Sequence, residues 1–180
     1  MLSKHQFQLL LILKTKTEKT NQRLIAEELG LSLGTVNKLI QEAEENGWIT
    51  SEYEVTEKGL KALEPHRVEN AIIMAAGMST RFAPLSYETP KGLLVVKGER
   101  LIEREIKQLR EAGIQKITVV VGYMKEKMFY LADKFGVEIV VNEDYYRYNN
   151  CSSLMLVRKQ LGNTYICSSD NYFVENPFEE

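Results

Sequence analysis

Apolar residues along this chain follow two different rhythms, and the change comes near Glu64-Pro65-His66-Arg67. Upstream, Phe7, Leu10, Leu11 and Leu13 predict a first helix. Thr20 or Asn21 is placed to cap a second that runs through Leu29 and stops at Gly30. Ser32 opens a third, with Val36, Leu39 and Ile40 on one face, ended by Gly47. Short helices joined by a tight glycine-containing turn make a helix-turn-helix. Trp48-Ile49-Thr50 and Tyr53-Glu54-Val55, flanking Ser51-Glu52, predict a two-stranded wing, and Thr56 to Leu63 a closing helix.

Downstream the rhythm becomes strand, helix, strand. Short apolar runs at Ala71 to Met74, Ile117 to Val121, Val137 to Val141 and Thr164 to Cys167 predict four buried strands. Between them, Leu101 to Ala112 carries Ile102, Ile106 and Leu109 on one face and stops at Gly113. Met124 to Phe135 repeats the device with Met128 and Leu131 and stops at Gly136. Asn149 or Asn150 is placed to cap a helix reaching about Gln160. Such alternation means right-handed crossovers and a parallel α/β sheet, whose ligands sit beyond the carboxyl ends of the strands where strand order reverses. The expected organisation is a small winged-helix domain over residues 1–66 and an α/β domain over 69–180.

Composition narrows the picture. With 44% hydrophobic and 27% charged residues the chain is an ordinary globular protein, long enough for two small domains. A net charge of -2 gives no general attraction to nucleic acid or anionic membrane. Two cysteines, Cys151 and Cys167, without CxxC spacing and far from His5 and His66, argue against a zinc site and suit a reducing cytoplasm. The run Leu9 to Leu13 is too short to span a bilayer.

The string Asn21-Gln-Arg-Leu-Ile-Ala-Glu-Glu-Leu-Gly-Leu-Ser-Leu-Gly-Thr-Val-Asn-Lys-Leu-Ile resembles bacterial winged-helix regulators, and the resemblance covers residues 3–64. It implies that the start of the third helix enters the major groove and presents Ser32, Thr35, Asn37 and Lys38 to DNA. Charge opposes this: residues 1–66 hold eight Lys and Arg against ten Glu, although Lys14, Lys16, Lys19, Arg23 and Lys38 could gather in one patch. A docking or homodimerisation module is the alternative.

The loop after the first α/β strand carries the chemistry. Small residues at Ala75, Ala76 and Gly77 let backbone N–H groups approach an anion, Arg81 can fork onto phosphate oxygens, and Lys91 adds a second cation. The loop is neither GxxxxGK[ST] nor GxGxxG, which argues against a P-loop NTPase and a dinucleotide-binding domain.

The stretch Ala75-Ala-Gly-Met-Ser-Thr-Arg81, with Pro84 and Thr89-Pro-Lys91 behind it, resembles the nucleotidyltransferase superfamily. That superfamily includes sugar-1-phosphate nucleotidyltransferases, molybdenum-cofactor guanylyltransferases and CTP:phosphocholine cytidylyltransferases. Ser79 departs from the glycine of many members. Ile117-Thr-Val-Val-Val-Gly-Tyr123, Val141-Asn142, Tyr148-Asn-Asn150, Ser153-Leu154 and Asp170-Asn171-Tyr172 extend the resemblance toward the bacterial phosphocholine cytidylyltransferases over about residues 70–178.

That resemblance implies transfer of CMP from CTP to a phosphorylated small acceptor, with a magnesium cofactor. Carried over by position, the backbone of Ala75, Ala76, Gly77, Met78, Ser79 and Thr80 would wrap the nucleotide. Arg81 would hold the leaving phosphates and Lys91 the reacting centre. Gly122, Tyr123, Asn150 and Ser153 would line base and ribose, and Asp170 would ligate magnesium. For Asp170 a turn cap in Ser168-Ser169-Asp170-Asn171 is the alternative.

Tyr123, Tyr145, Tyr146, Tyr148 and Tyr172 are expected around the mouth, where aromatic faces suit a quaternary ammonium unless they merely pack. The superfamily pattern continues with more strands, an acceptor region and a second magnesium-binding Asp, whereas this sequence stops ten residues after Asp170. It therefore reads as a fragment, with an incomplete sheet, weak nucleotide binding and poor turnover. A sugar-1-phosphate nucleotidyltransferase, or a DNA-binding regulator with a nucleotide-sensing domain, are the other readings to separate.

Overall fold

The computed structural model describes residues 2–16, 20–148 and 150–178, so Lys19 and Asn149 lie outside the described residues. The chain divides into two compact units, Met1–Arg67 and Val68–Glu180.

The first unit contains α1 (Lys4–Thr15), α2 (Gln22–Leu29), α3 (Leu33–Glu45) and α4 (Glu57–Leu63). Asn21, not Thr20, caps α2: its side chain accepts from the N–H groups of Arg23 and Leu24. Gly30 ends that helix in the left-handed region at φ 64°, where glycine carries no Cβ penalty. Leu9, Leu10, Ile25, Val36 and Ile40 meet in the core with Ile49. The expected two-stranded wing is shorter than the sequence predicts. It is a single antiparallel bridge, Ile49 to Val55, because Tyr53 turns to φ 66° and the chain leaves extended geometry there.

Thr56 joins the wing to α4. Its hydroxyl donates to the Gly47 carbonyl at 2.7 Å and accepts from the Gly59 N–H at 3.1 Å. Thr56→Val keeps the shape and deletes both bonds, so it is expected to destabilise this unit by about 1 kcal/mol. Denaturant unfolding followed through Trp48, the sole tryptophan of the chain, checks this; an unchanged midpoint would refute it.

In the second unit, β1 (Asn70–Ala75), β4 (Lys116–Val121), β5 (Glu138–Val141) and β6 (Thr164–Ser168) form a parallel sheet in the order β5-β4-β1-β6. A hairpin of β2 (Val95–Val96) and β3 (Glu99–Arg100) precedes α5 (Leu101–Glu111). It turns through Lys97 and Gly98, both at positive φ, and the apolar pattern does not predict it. α6 (Tyr130–Phe135) follows β4, and α7 (Asn150–Leu156) follows β5.

Two helices are shorter than their periodicity predicts. Met124 adopts φ 52°, so Lys125–Met128 wind as a 3-10 turn before α6 begins. α7 stops at Leu156, where the backbone leaves helical geometry at Val157, which is buried beneath the sheet, and a 3-10 turn covers Arg158–Gln160.

Ile102, Ile106 and Leu109 of α5 and Leu131 of α6 pack on one sheet face with Ile73, Val119 and Val121. Leu154 and Val157 pack on the opposite face with Ile72, Met74 and Val120. The chain moves outward from β1 with its helices on one face, then crosses back to β6 over the other, as right-handed crossovers require. Strand order therefore reverses at β1, and the ends of β1 and β6 flank the switch point.

Candidate active site

At that switch point lies a cavity of about 290 Å³. Its walls come from the loop after β1, the Pro90-Lys91-Gly92 turn, the end of β6 and the first residue of α7. Ala75, Gly77, Ser79, Thr80, Arg81, Lys91, Asn150 and Asp170 all line it, so the two cations and the carboxylate singled out from the sequence share one concavity. Ser79 adopts φ 57°, the left-handed conformation that favours glycine.

Lys91 Nζ sits 3.1 Å from an Asp170 carboxylate oxygen, and the Phe82 ring lies 4.5 Å from the ammonium. The side chains are 19% and 34% exposed, so the pair is partly sheltered from water without being sealed off. The Ser168 hydroxyl donates to the other Asp170 oxygen. Burial raises the Asp170 carboxyl, but the hydrogen bonds from Ser168 and Lys91 and the Lys91 charge outweigh it, and the group is held below its ordinary range. The approach of these segments depends on Gly92: a Cβ there would lie 3.0 Å from Cβ of Ser169.

Ala76, Met78, Gly122, Tyr123 and Ser153 do not line the cavity. Ala76 is buried, and its carbonyl accepts from the Tyr123 N–H at 3.2 Å, while Met78 projects outward from the loop. Gly122 permits close contact at the end of β4, since a Cβ there would come 2.8 Å from the Ala76 carbonyl oxygen and 2.7 Å from Tyr145 Cβ. Ser153 is buried and accepts, as does Ser152, from the Asn142 amide, both at 2.9 Å. Asn142 thereby ties the end of β5 to the first turn of α7.

Sequence reasoning passed over Gly92, Ser168, Ser169 and Met128, which line the cavity, and Phe82 beneath Lys91. The available signal was adjacency: the serines follow a predicted strand directly before Asp170, and Phe82 follows Arg81.

The tyrosines divide. Tyr172 has Arg104 4.9 Å and Lys97 5.8 Å from its ring, and Tyr146 has Arg147 at 5.3 Å, so both rings already engage cations of this chain. Tyr123 packs against Tyr145 at 6.4 Å, and Tyr148 is exposed.

In the first unit, the Ser32 hydroxyl caps α3 and contacts the Thr35 hydroxyl at 2.8 Å, while Thr35, Asn37 and Lys38 are exposed. Glu44 and Glu45 are exposed on the same helix.

Among the described residues no three His, Cys, Asp or Glu side chains gather as a metal cluster. The donor set at the cavity is one carboxylate with a hydroxyl beside it, which fits an ion that takes its other ligands from phosphate oxygens and water. No helix among the described residues is long and apolar enough to cross a membrane.

Comparison with known proteins agrees with this geometry. Residues 71–176 match the family model for the MobA-like NTP transferase domain, and residues 9–77 match a model described as wHTH-PRTase associated. A choline-phosphate cytidylyltransferase of Streptococcus pneumoniae is 47% identical over 108 residues, which are 60% of this chain and 47% of that protein. A 2-aminoethylphosphonate cytidylyltransferase of Lancefieldella rimae is 47% identical over 104 residues, 56% of this chain and 42% of that protein. A solved structure of the CTP:phosphocholine cytidylyltransferase from Streptococcus pneumoniae superimposes with a TM-score of 0.61 at 46% identity, over 63% of this chain and 50% of that one. The chain thus spans about half the length of the relatives it matches.

Proposed function

This chain belongs to the MobA-like NTP transferase domain family, and we propose that it binds CTP with magnesium at the switch-point cavity and serves transfer of CMP to a small phosphorylated acceptor, phosphocholine foremost. One observation carries the reading: Arg81, Lys91 and Asp170, from three separate segments, converge on a single cavity at the ends of β1 and β6. A structural ion pair alone would leave the exposed guanidinium of Arg81 at the same rim unexplained. The free thiols of Cys151 and Cys167 fit a cytoplasmic setting.

In the reaction an acceptor phosphate oxygen forms a bond to the α-phosphorus of CTP, the bond between that phosphorus and its bridging oxygen to the β-phosphate breaks, and pyrophosphate departs. Anion approaches anion, so the work of the site is neutralising charge and aligning an in-line displacement. Lys91 is placed to lie against the reacting phosphates once they draw it from Asp170. Arg81 suits the β- and γ-phosphates, because its planar fork matches two oxygens at once. Bound magnesium would supply charge neutralisation across the phosphates, held by Asp170 with Ser168 beside it.

The names of the two 47%-identical relatives share an acceptor chemistry, an ammonium group on a short chain bearing a phosphate or phosphonate. That supports an ammonium-bearing acceptor here. With Tyr172 and Tyr146 engaged by arginines, Tyr123, Tyr145 and Tyr148 are the aromatics left to meet it.

A thermal-shift series with the four NTPs, each with and without magnesium, tests the nucleotide assignment. CTP with magnesium is expected to raise the melting temperature most, since a ligand of the folded state stabilises it. Failure of every NTP to move it would reject the reading. Binding of a sugar 1-phosphate without binding of phosphocholine would reject the acceptor.

A further inference from the structure

The segment that follows Asp170 has neither helix nor strand among its described residues, yet it is fastened at several points to one face of α5. Arg104 holds two successive residues of it. Its Nε donates to the Phe173 carbonyl at 2.9 Å and its Nη2 to the Val174 carbonyl at 2.8 Å, so two donors of the fork hold two successive backbone oxygens. Its Nη1 donates to Glu99 at 2.8 Å, and the other Glu99 oxygen accepts from Lys107 at 2.8 Å, which fixes the guanidinium from behind. One turn along α5, the Gln108 amide donates to the same Phe173 carbonyl at 3.2 Å, and the Gln108 carbonyl accepts from Asn176 at 2.7 Å. The Tyr172 ring lies against the Arg104 guanidinium.

Asp170 thus stands between two anchors. On one side the Ser169 N–H donates to the Met74 carbonyl at 3.2 Å and ties the end of β6 to β1. On the other, α5 grips the chain three residues on. We propose that Arg104, seconded by Gln108, is a positioning residue that sets the reach of Asp170 into the cavity and so governs how well magnesium is held with the nucleotide. The inference rests on the reading of Asp170 as a metal ligand. Magnesium demands near-ideal octahedral geometry at short range, so a carboxylate on an unsupported loop would serve it poorly. Lysine cannot replace arginine here, because a point-like ammonium cannot span two carbonyls and a carboxylate in one plane.

Isothermal titration of CTP into the full chain, with and without magnesium, tests this on the parent, Asp170→Asn and Arg104→Lys. Magnesium is expected to tighten CTP binding in the parent, and Asp170→Asn to remove that gain. Arg104→Lys is expected to cut the gain about tenfold, as loss of a support behind a metal ligand does, while leaving metal-free affinity in place. Should Arg104→Lys fail to fold, Gln108→Met carries the same comparison with the same expected direction.

The outcomes separate the two ideas. Loss of the gain in Asp170→Asn with full retention in the α5 variant, even if that variant melts lower, overturns the positioning role alone. Absence of any gain in the parent, or an undiminished gain in Asp170→Asn, overturns the Asp170 reading and the positioning role with it.

Discussion

Replacing Lys91 with methionine is expected to weaken CTP binding by about a hundredfold, a loss of roughly 3 kcal/mol, because two penalties combine at one position. The first is loss of a cation that the triphosphate would otherwise meet. The second is what remains: Asp170, two-thirds sheltered, keeps its negative charge without its 3.1 Å partner and faces the incoming phosphates. Methionine retains the length and apolar stem of lysine, so the Phe82 ring stays covered and the fold is expected to survive. Pairing Lys91→Met with Asp170→Asn separates the two penalties. The double variant should recover part of the affinity, since the stranded charge is gone. Titration calorimetry without magnesium reads both, and an affinity unchanged in Lys91→Met would remove Lys91 from the site.

The second large effect concerns stability. Glu105 of α5 is 1% exposed, and neither of its carboxylate oxygens has a well-formed hydrogen bond among the described residues, the Asn171 side chain coming near enough only to offset burial in part. Burial pushes its pKa up to about 8, with the Asn171 amide pulling the other way and the Asp170 charge adding to the rise. A raised carboxyl pKa makes the folded state the better proton binder. Below the ordinary value of 4.5 both states are protonated and the group is silent. From there up to about 8 the unfolded chain ionises while the fold holds its proton, so stability falls as pH rises, at about 1.4 kcal/mol per pH unit.

Glu105→Gln is close to the neutral carboxyl in shape and has nothing to titrate. It is expected to match the parent near pH 4.5 and exceed it by roughly 3 kcal/mol at pH 7. Urea unfolding followed by far-ultraviolet circular dichroism from pH 5 to 8 measures this. Parallel pH profiles for the two proteins would show that Glu105 is solvated or paired after all.

α5 also shows how far the amino-acid order could be read. The triplet Ile102, Ile106 and Leu109 announces an amphipathic helix, and those residues do face the sheet. Nothing in that periodicity announces that Glu103, Glu105 and Gln108 are buried as well. Glu103 is satisfied by Tyr130, Lys134 and Arg100, from partners 27, 31 and 3 residues away. The two longer-range pairings, with Tyr130 and Lys134, depend on how α6 is set beside α5, which no local pattern encodes. The wing is a similar case. The runs Trp48-Ile49-Thr50 and Tyr53-Glu54-Val55 predict two strands, but a positive φ at Tyr53, held by the bond from its N–H to the Thr50 carbonyl, reduces them to one bridge.

Apolar spacing, caps and glycine stops were sufficient by themselves to place the four parallel strands and most of the helices, because burial of one face and termination of backbone hydrogen bonding are local demands written in consecutive residues. Residue types alone also made the 75–81 loop, Arg81 and Lys91 candidates for holding phosphate. Tertiary structure decided that Lys91 meets Asp170, 79 residues further on, and that Gly92 lets Ser169 come close enough for them to do so. It likewise decided that Ser153 serves Asn142, and that α5 grips the chain beyond Asp170. Contacts of that kind arise only when crossovers bring strand ends from distant parts of the chain to one edge of a sheet, and a pattern of neighbouring residues carries no record of them.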